Sequence, residues 1–276
     1  MTLQVLVSTM YQEDHGLLDR MNIRTDAVVV NQCDRNEIER FVHGGNEILW
    51  ISCRERGVGS SRNIALEHAT ADIVLFADDD VVYEDEYARM VSSVFEVDPA
   101  VSLAVFNIGS LNPDRPEATI NRDHRLRWFN CLKYGACRTA VRRETVVKKG
   151  IRYSALFGGG AKYQAGEDNL FITQCLQRGM TGIASTRNIG TAAQETSTWF
   201  MGYSDRYYHD RGALFAAMYG KLAVPLLLVM ELRNKGRRTT GLMQRIRQGI
   251  MGIKAWEKDR NDERDQKRTS AFGVEQ

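Results

Sequence analysis

Short runs of β-branched and apolar residues punctuate roughly the first hundred positions of the chain. They lie at Gln4–Ser8, Ala27–Asn31, Ile48–Ser52, Ile73–Ala77 and Ser102–Asn107, with polar or helical spacing between them. Strand-like runs alternating with helical patterns are the signature of a parallel sheet with crossover helices. Between the third and fourth runs, Val58–Ala69 carries Arg62 and Asn63 in its first turns and Ile64, Ala65 and Leu66 for packing, which predicts a helix. In open α/β sheets ligands sit beyond the carboxyl ends of the strands. Asp78, Asp79 and Asp80 stand at such an end, directly after the fourth run.

From about residue 108 the texture changes. Asn112-Pro113-Asp114-Arg115-Pro116 reads as a loop leaving this first half. A second half offers a strand candidate at Ala136–Val141, the glycines Gly158-Gly159-Gly160, and Gly166-Glu167-Asp168-Asn169 opening a helix. That helix spaces Ile172, Cys175 and Leu176 before Gly179 as its cap, and a strand at Gly182–Ser185 returns to the sheet. Beyond Trp199 the pattern is helical to the end. From Arg233 to Lys254 every charge is basic, interleaved with Leu242, Met243, Ile246, Ile250, Met251 and Ile253. This stretch reads either as a solvated helix packed by its apolar side or as a helix docking on anionic lipid.

At 276 residues and 43% hydrophobic, the chain suffices for one large domain or two small ones. A net charge of +2 offers no argument for nucleic acid as a partner. Five cysteines without a C-x-x-C pair point to reduced thiols in a cytoplasmic protein, not to a disulfide framework or a zinc site. The opening Met1–Ser8 reads as a strand, not a signal peptide. The longest apolar run, Leu222–Met230, contains Pro225 and falls short of a membrane span, so none is expected.

Adjacent carboxylates repel and raise one another's pKa unless a cation compensates. Hard carboxylate oxygens suit Mg²⁺ or Mn²⁺, and such an ion commonly holds phosphate. Asp80 is the expected direct ligand and Asp78 a contact to ribose or metal, with Asp79 the least assigned. The segment Arg56-Gly57-Val58-Gly59-Ser60-Ser61-Arg62-Asn63 lacks the third glycine and the first-strand position of a dinucleotide fingerprint. It reads instead as a turn into a helix whose amides and arginines meet an anion, or whose Arg62 pairs with an acid to hold the helix. Glu167-Asp168 either compensates a helix dipole or supplies a carboxylate that takes a proton from an attacking hydroxyl.

Together these segments resemble a family 2 glycosyltransferase of the GT-A fold. The resemblance runs from Val5-Leu6-Val7-Ser8 through Gly57–Ala65 and Ile73–Asp80 to Gly166-Glu167-Asp168, and extends to about residue 215. It implies a Rossmann-like mixed sheet flanked by helices, with a nucleotide-binding half (1–107), an acceptor-binding half (108–215) and a basic helical extension (216–276). It also implies inverting transfer of a sugar from a nucleotide diphosphate donor, most simply a UDP-sugar, with Mn²⁺ or Mg²⁺. Asp168 becomes the base, with Glu167 beside it. Asn31, Asp34, Arg56, Arg62, Asp78 and Asp79 become donor contacts, and Asp80, Asp78 and Glu195 the metal set, with His209 a weaker ligand and Trp199 a candidate for stacking on sugar. The family's acid after the second strand is replaced by Asn31 or displaced to Asp34, which leaves the nucleobase contact open. A saccharide or lipid-linked saccharide acceptor, met on the cytoplasmic membrane face, completes the expectation. The rival readings are a nucleotidylyltransferase, which would need a glycine-rich phosphate loop after the first strand, and a membrane-surface module without turnover.

Overall fold

The computed structural model describes residues 1–113, 118–193, 202–233 and 241–272. Glu195, Trp199, Lys235, Arg237 and Arg238 lie outside the described residues. The chain forms two compact units, one of Met1–Gly160 with Glu167–Ser197 and one of Ala161–Gly166 with Thr198–Gln276. The division expected at residue 215 instead falls inside a continuous helix, Asp205–Tyr219, whose apolar residues belong to the second unit.

In the first unit the order is β1 (Leu3–Met10), α1 (Leu17–Arg20), β2 (Asp26–Gln32), β3 (Glu37–His43), β4 (Asn46–Cys53), α2 (Val58–His68) and β5 (Ile73–Asp78). There follow β6 (Val81–Tyr83), α3 (Tyr87–Val97), β7 (Val101–Ser110), β8 (His124–Arg125), β9 (Thr139–Arg142), α4 (Arg143–Lys148), α5 (Glu167–Gln177) and β10 (Thr181–Ala192). One mixed sheet runs β3-β4-β2-β1-β5-β9-β7-β10-β6, with β8 pairing β10 off this path. The stretch β4-β2-β1-β5 is parallel, while β3 and β9 run antiparallel to their neighbours.

The continuous apolar runs reflect burial on both faces of the sheet. Val5, Val7, Leu75 and Ala77 face a core with α1 and α3, while Leu6, Val74 and Phe76 face one with Ala65, Leu66, Phe171 and Ile172. Parallel register sets Ser8 opposite both Val30 and Asp78, and Thr9 opposite Asn31. The polar residues that end three strands therefore meet at one edge. Two expected elements differ in detail. Ala136–Arg138 is a 3₁₀ turn that leads into β9, and the returning strand is the much longer β10.

The second unit contains α6 (Asp205–Tyr219), a 3₁₀ turn (Gly220–Leu222), α7 (Ala223–Arg233) and α8 (Leu242–Phe272). Phe215, Ala216, Ala223, Leu227 and Ile253 form its core. Helices α6 and α8 approach through glycine: a Cβ at Gly212 would fall 1.9 Å from the Gly249 carbonyl oxygen, and one at Gly252 would fall 1.7 Å from that of His209. Glu231 is buried between Arg245 (2.8 Å) and Arg211 (3.3 Å). The expectation that no stretch suffices to span a membrane needs correction. The helical run Asp205–Arg233, 29 residues long, is long and apolar enough by length and composition, and its most apolar window is only 33% buried. Counting uninterrupted apolar letters missed it, because Gly220, Lys221 and Pro225 break the run near its middle.

Candidate active site

Helix α2 delivers the first half of the site, and each residue of its opening motif has a local task. Gly57 (φ +110°) turns the chain, and its amide donates to Gln32 Oε1 (2.8 Å). Gly59 packs so closely on the following loop that a Cβ would meet the Ser154 carbonyl oxygen at 2.4 Å. Ser61 Oγ donates to Ser8 Oγ (2.9 Å), tying the helix to β1. Asn63 clasps Tyr153 by both backbone groups, donating to its carbonyl (2.9 Å) and accepting from its amide (2.8 Å).

These contacts fix Arg62, whose side chain keeps only 3% of its exposure. Its Nη2 donates to Asp78 Oδ1 (2.7 Å), and its Nη1 donates to Asp168 Oδ1 (2.7 Å) and Glu167 Oε1 (3.1 Å). The guanidinium lies over the Tyr153 ring, 5.2 Å from its centroid. One buried cation thus joins the acid that ends β5 to the pair that opens α5. Of the two roles read for Arg62, the structure displays the pairing with acids. The fit depends on glycine, since at Gly158 (φ +104°) a Cβ would collide with the Glu167 carboxylate at 2.8 Å.

With one guanidinium among three carboxylates, the fully ionised cluster carries two negative charges in excess. Burial pushes the Asp168 pKa up to about 8; Arg62 opposes the rise, Glu167 and Asp78 add to it, and the Ala136 amide bonds the carboxylate and lowers it. The Asp168 side chain retains 23% exposure, so solvent and substrate can reach it. For Arg62 burial acts downward, but Asp168 and Asp78 outweigh it and hold the guanidinium charged. Asp168 is therefore an accessible carboxylate poised to take up a proton near neutral pH.

Asp79 Oδ2 accepts from Thr9 Oγ1 (2.6 Å), and Ala193 N donates to the Asp80 carbonyl (2.9 Å). Both aspartate side chains are exposed at the sheet edge. Among the described residues no three His, Cys, Asp or Glu side chains converge as a ready-made metal cage. Two hard carboxylates at a strand end still fit Mg²⁺ or Mn²⁺ in the mode where substrate phosphates complete the coordination. His209 hydrogen-bonds its neighbour Asp210 (2.9 Å) within the second unit.

The other donor candidates gather at the carboxyl ends of β1, β2 and β4. Asn31 is buried and spends its amide on Gln12, accepting from its N–H (3.0 Å) and donating to its carbonyl (2.9 Å). Asp34, exposed, accepts from Arg56 Nη2 (2.6 Å), and Arg56 Nη1 also donates to the Cys33 (3.0 Å) and Cys53 (3.2 Å) carbonyls. The Arg56 guanidinium lies 5.4 Å from the centroid of Tyr11. Tyr11 escaped the sequence reading. It is exposed and held at φ +52°, a conformation that side-chain-bearing residues rarely adopt and that tends to mark functional positions.

A mixed α/β sheet with an acidic strand end joined to a second acidic pair defines a GT-A glycosyltransferase. Residues 16–154, half of the chain, match the family model of glycosyl transferase family 2, and the protein belongs to that family. In fold it is similar to TarS 1–349 of S. aureus in complex with UDP-GlcNAc, with a TM-score of 0.61 at 12% identity over 94% of this chain and 92% of that one. TarS 1–349 in complex with UDP aligns over 95% of this chain and 92% of that one, again with a TM-score of 0.61 and 12% identity. A mannosyltransferase of Pyrobaculum calidifontis in complex with GDP-Man and Mn²⁺ aligns more loosely, with a TM-score of 0.49 at 13% identity over 91% of this chain and 69% of that one. Among curated proteins none matches this chain.

Proposed function

We propose that this family 2 transferase moves a sugar with inversion from a UDP-sugar to a hydroxyl of a saccharide or lipid-linked saccharide on the cytoplasmic face of a membrane. The observation that carries the reading is the Arg62 bridge, which places a proton-accepting carboxylate, Asp168, in one hydrogen-bonded unit with the acid that ends β5. Asp168 takes the proton of the acceptor hydroxyl as its oxygen attacks the anomeric carbon, and the bond to the diphosphate breaks on the opposite face. Glu167, fixed by Arg62 and the Gly158 cradle, borders the acceptor. Arg62 is a positioning residue here, since both of its Nη groups are engaged by carboxylates.

Tyr11, Arg56 and Asp34 form the rim on which the nucleobase stacks and hydrogen-bonds, and Asn31 shapes that rim by holding Gln12. Of the two candidates for the nucleobase contact, exposed Asp34 is favoured, because the Asn31 amide is already committed. Asp79 and Asp80, aided by Asp78 and Glu195, are the residues that would hold Mg²⁺ or Mn²⁺. Such an ion would offset the charge gathering on the departing diphosphate.

A thermal-shift panel of nucleotide sugars with and without Mn²⁺, followed by nucleotide release from the best donor, tests the reading. Stabilisation by a UDP-sugar that grows with Mn²⁺, with acceptor-dependent UDP release, is expected. Stabilisation by no nucleotide sugar, or binding without any release, would instead favour a module lacking turnover.

A further inference from the structure

The outward face of α7, continued by Leu222 at the end of the 3₁₀ turn before it, is apolar without interruption. Leu222, Pro225, Val229 and Leu232 recur at spacings of three and four, which sets them on one stripe. Leu222 is 59% exposed, Val229 53% and Leu232 52%. The helix's one acid, Glu231, points the other way and is buried against Arg211 and Arg245. At the ends of the stripe stand Lys221 and Arg233, both exposed. Helix α8 repeats the composition on its own exposed side: Met243 (79% exposed), Arg247, Met251 and Lys254 follow at spacings of four, four and three, and its first acid is Glu257. Apolar side chains with cations beside them, Asp205 being held aside by Gln244 and Gln248 of α8, match one environment well, an interface whose surface is anionic and whose interior is hydrocarbon.

We infer that the second unit docks on an anionic lipid surface, with the α7 stripe dipping beneath the headgroups and Lys221, Arg233, Arg247 and Lys254 meeting their phosphates. The inference deepens the membrane-face placement proposed above and rests on it. Although the run Asp205–Arg233 is long enough to span, Gly220 (φ +54°) and the 3₁₀ turn interrupt it. Its first half also buries Asp210 and packs Gly212 onto Gly249, so it lies in the surface instead of crossing it. A second copy is a poorer occupant, because it would bring like cations together around the apolar stripe.

Co-sedimentation of the full chain with phosphatidylcholine vesicles, alone or carrying about a third phosphatidylglycerol, tests this directly. Binding to the anionic vesicles that weakens with salt is expected. Val229→Glu combined with Leu232→Glu should lower partitioning on the order of tenfold or more. Arg247→Glu combined with Lys254→Glu should lower it by a similar factor and abolish the preference for anionic lipid. A third variant, Leu232→Trp, should gain a blue-shifted emission when vesicles are added, whatever the fate of the glutamate variants. No binding of the wild type, equal binding by all variants, a dimer in light scattering dispersed by Val229→Glu, or resistance to alkaline extraction would each overturn the inference. UDP release with a soluble acceptor, measured in parallel, separates the outcomes. Release without vesicle binding removes the docking surface only, and vesicle binding without release removes the transferase reading only.

Discussion

Among the described residues, two buried ionic clusters have opposite compositions. In the first unit one arginine, Arg62, serves three carboxylates; in the second unit one carboxylate, Glu231, lies between two arginines. Both bury charge, which is costly unless every member is paired. Their surroundings differ. The Glu231 side chain is fully buried between helices, whereas Asp168 and Asp78 keep 23% and 39% exposure. The helical cluster is closed to substrate. The Arg62 cluster is open on one side and short of positive charge, so it can take up a proton or border a cationic partner. The first cluster thus retains excess charge that a structural pair would have neutralised.

The largest effect that would break this contrast is on rate. Asp168→Asn should lower the turnover number by about 10²–10⁴-fold while leaving nucleotide affinity nearly unchanged, measured by UDP release and calorimetry. Retained turnover would remove Asp168 as the base. Next comes Glu231→Gln, which should destabilise the second unit by roughly 3 kcal/mol in urea unfolding, since it strands two buried arginines. It should leave the pH dependence of transfer where it was. Asp80→Asn should weaken the Mn²⁺-dependent part of nucleotide affinity by about 10-fold, with metal-free affinity little altered.

The smallest effect concerns stability against pH. Asp168 titrates near 8 in the folded chain, against about 3.9 in an unfolded one. Between those values the folded state binds the proton more tightly, so this group's contribution is fullest at low pH and is lost as pH rises towards 8. The urea midpoint of the wild type should carry that downward slope, and Asp168→Asn should flatten it. With Asp168 in the proposed role of base, catalytic readiness and stability run in opposite directions over the same pH window.

Most of the first unit was legible because its strands are continuous apolar runs and α2 has an unmistakable entry turn. Strand β3 was not. Its Glu37-Ile38-Glu39-Arg40 opening leaves Ile38 and Val42 exposed on a sheet edge, so no buried pattern marks it. Strand direction was also hidden, since β9 reads like any other short apolar run yet lies antiparallel between β5 and β7. In the site, the acids were visible as letters but their partners were not. Asp78 and Asp168 are 90 positions apart in the numbering, and only the folded sheet brings both to Arg62. Tyr11 carried no signal at all, because its backbone conformation, not its identity or neighbours, singles it out.

The central claim is that Arg62 tunes the base. The pH profile of kcat/KM for the acceptor, compared between the wild type and Arg62→Gln after circular dichroism has confirmed folding, tests it most directly. The wild type should show an ascending limb with an apparent pKa near 8. In Arg62→Gln that limb should move up by about one unit or more, because the cation favouring the ionised carboxylate is gone. A limb that stays in place, or moves down, would contradict the account.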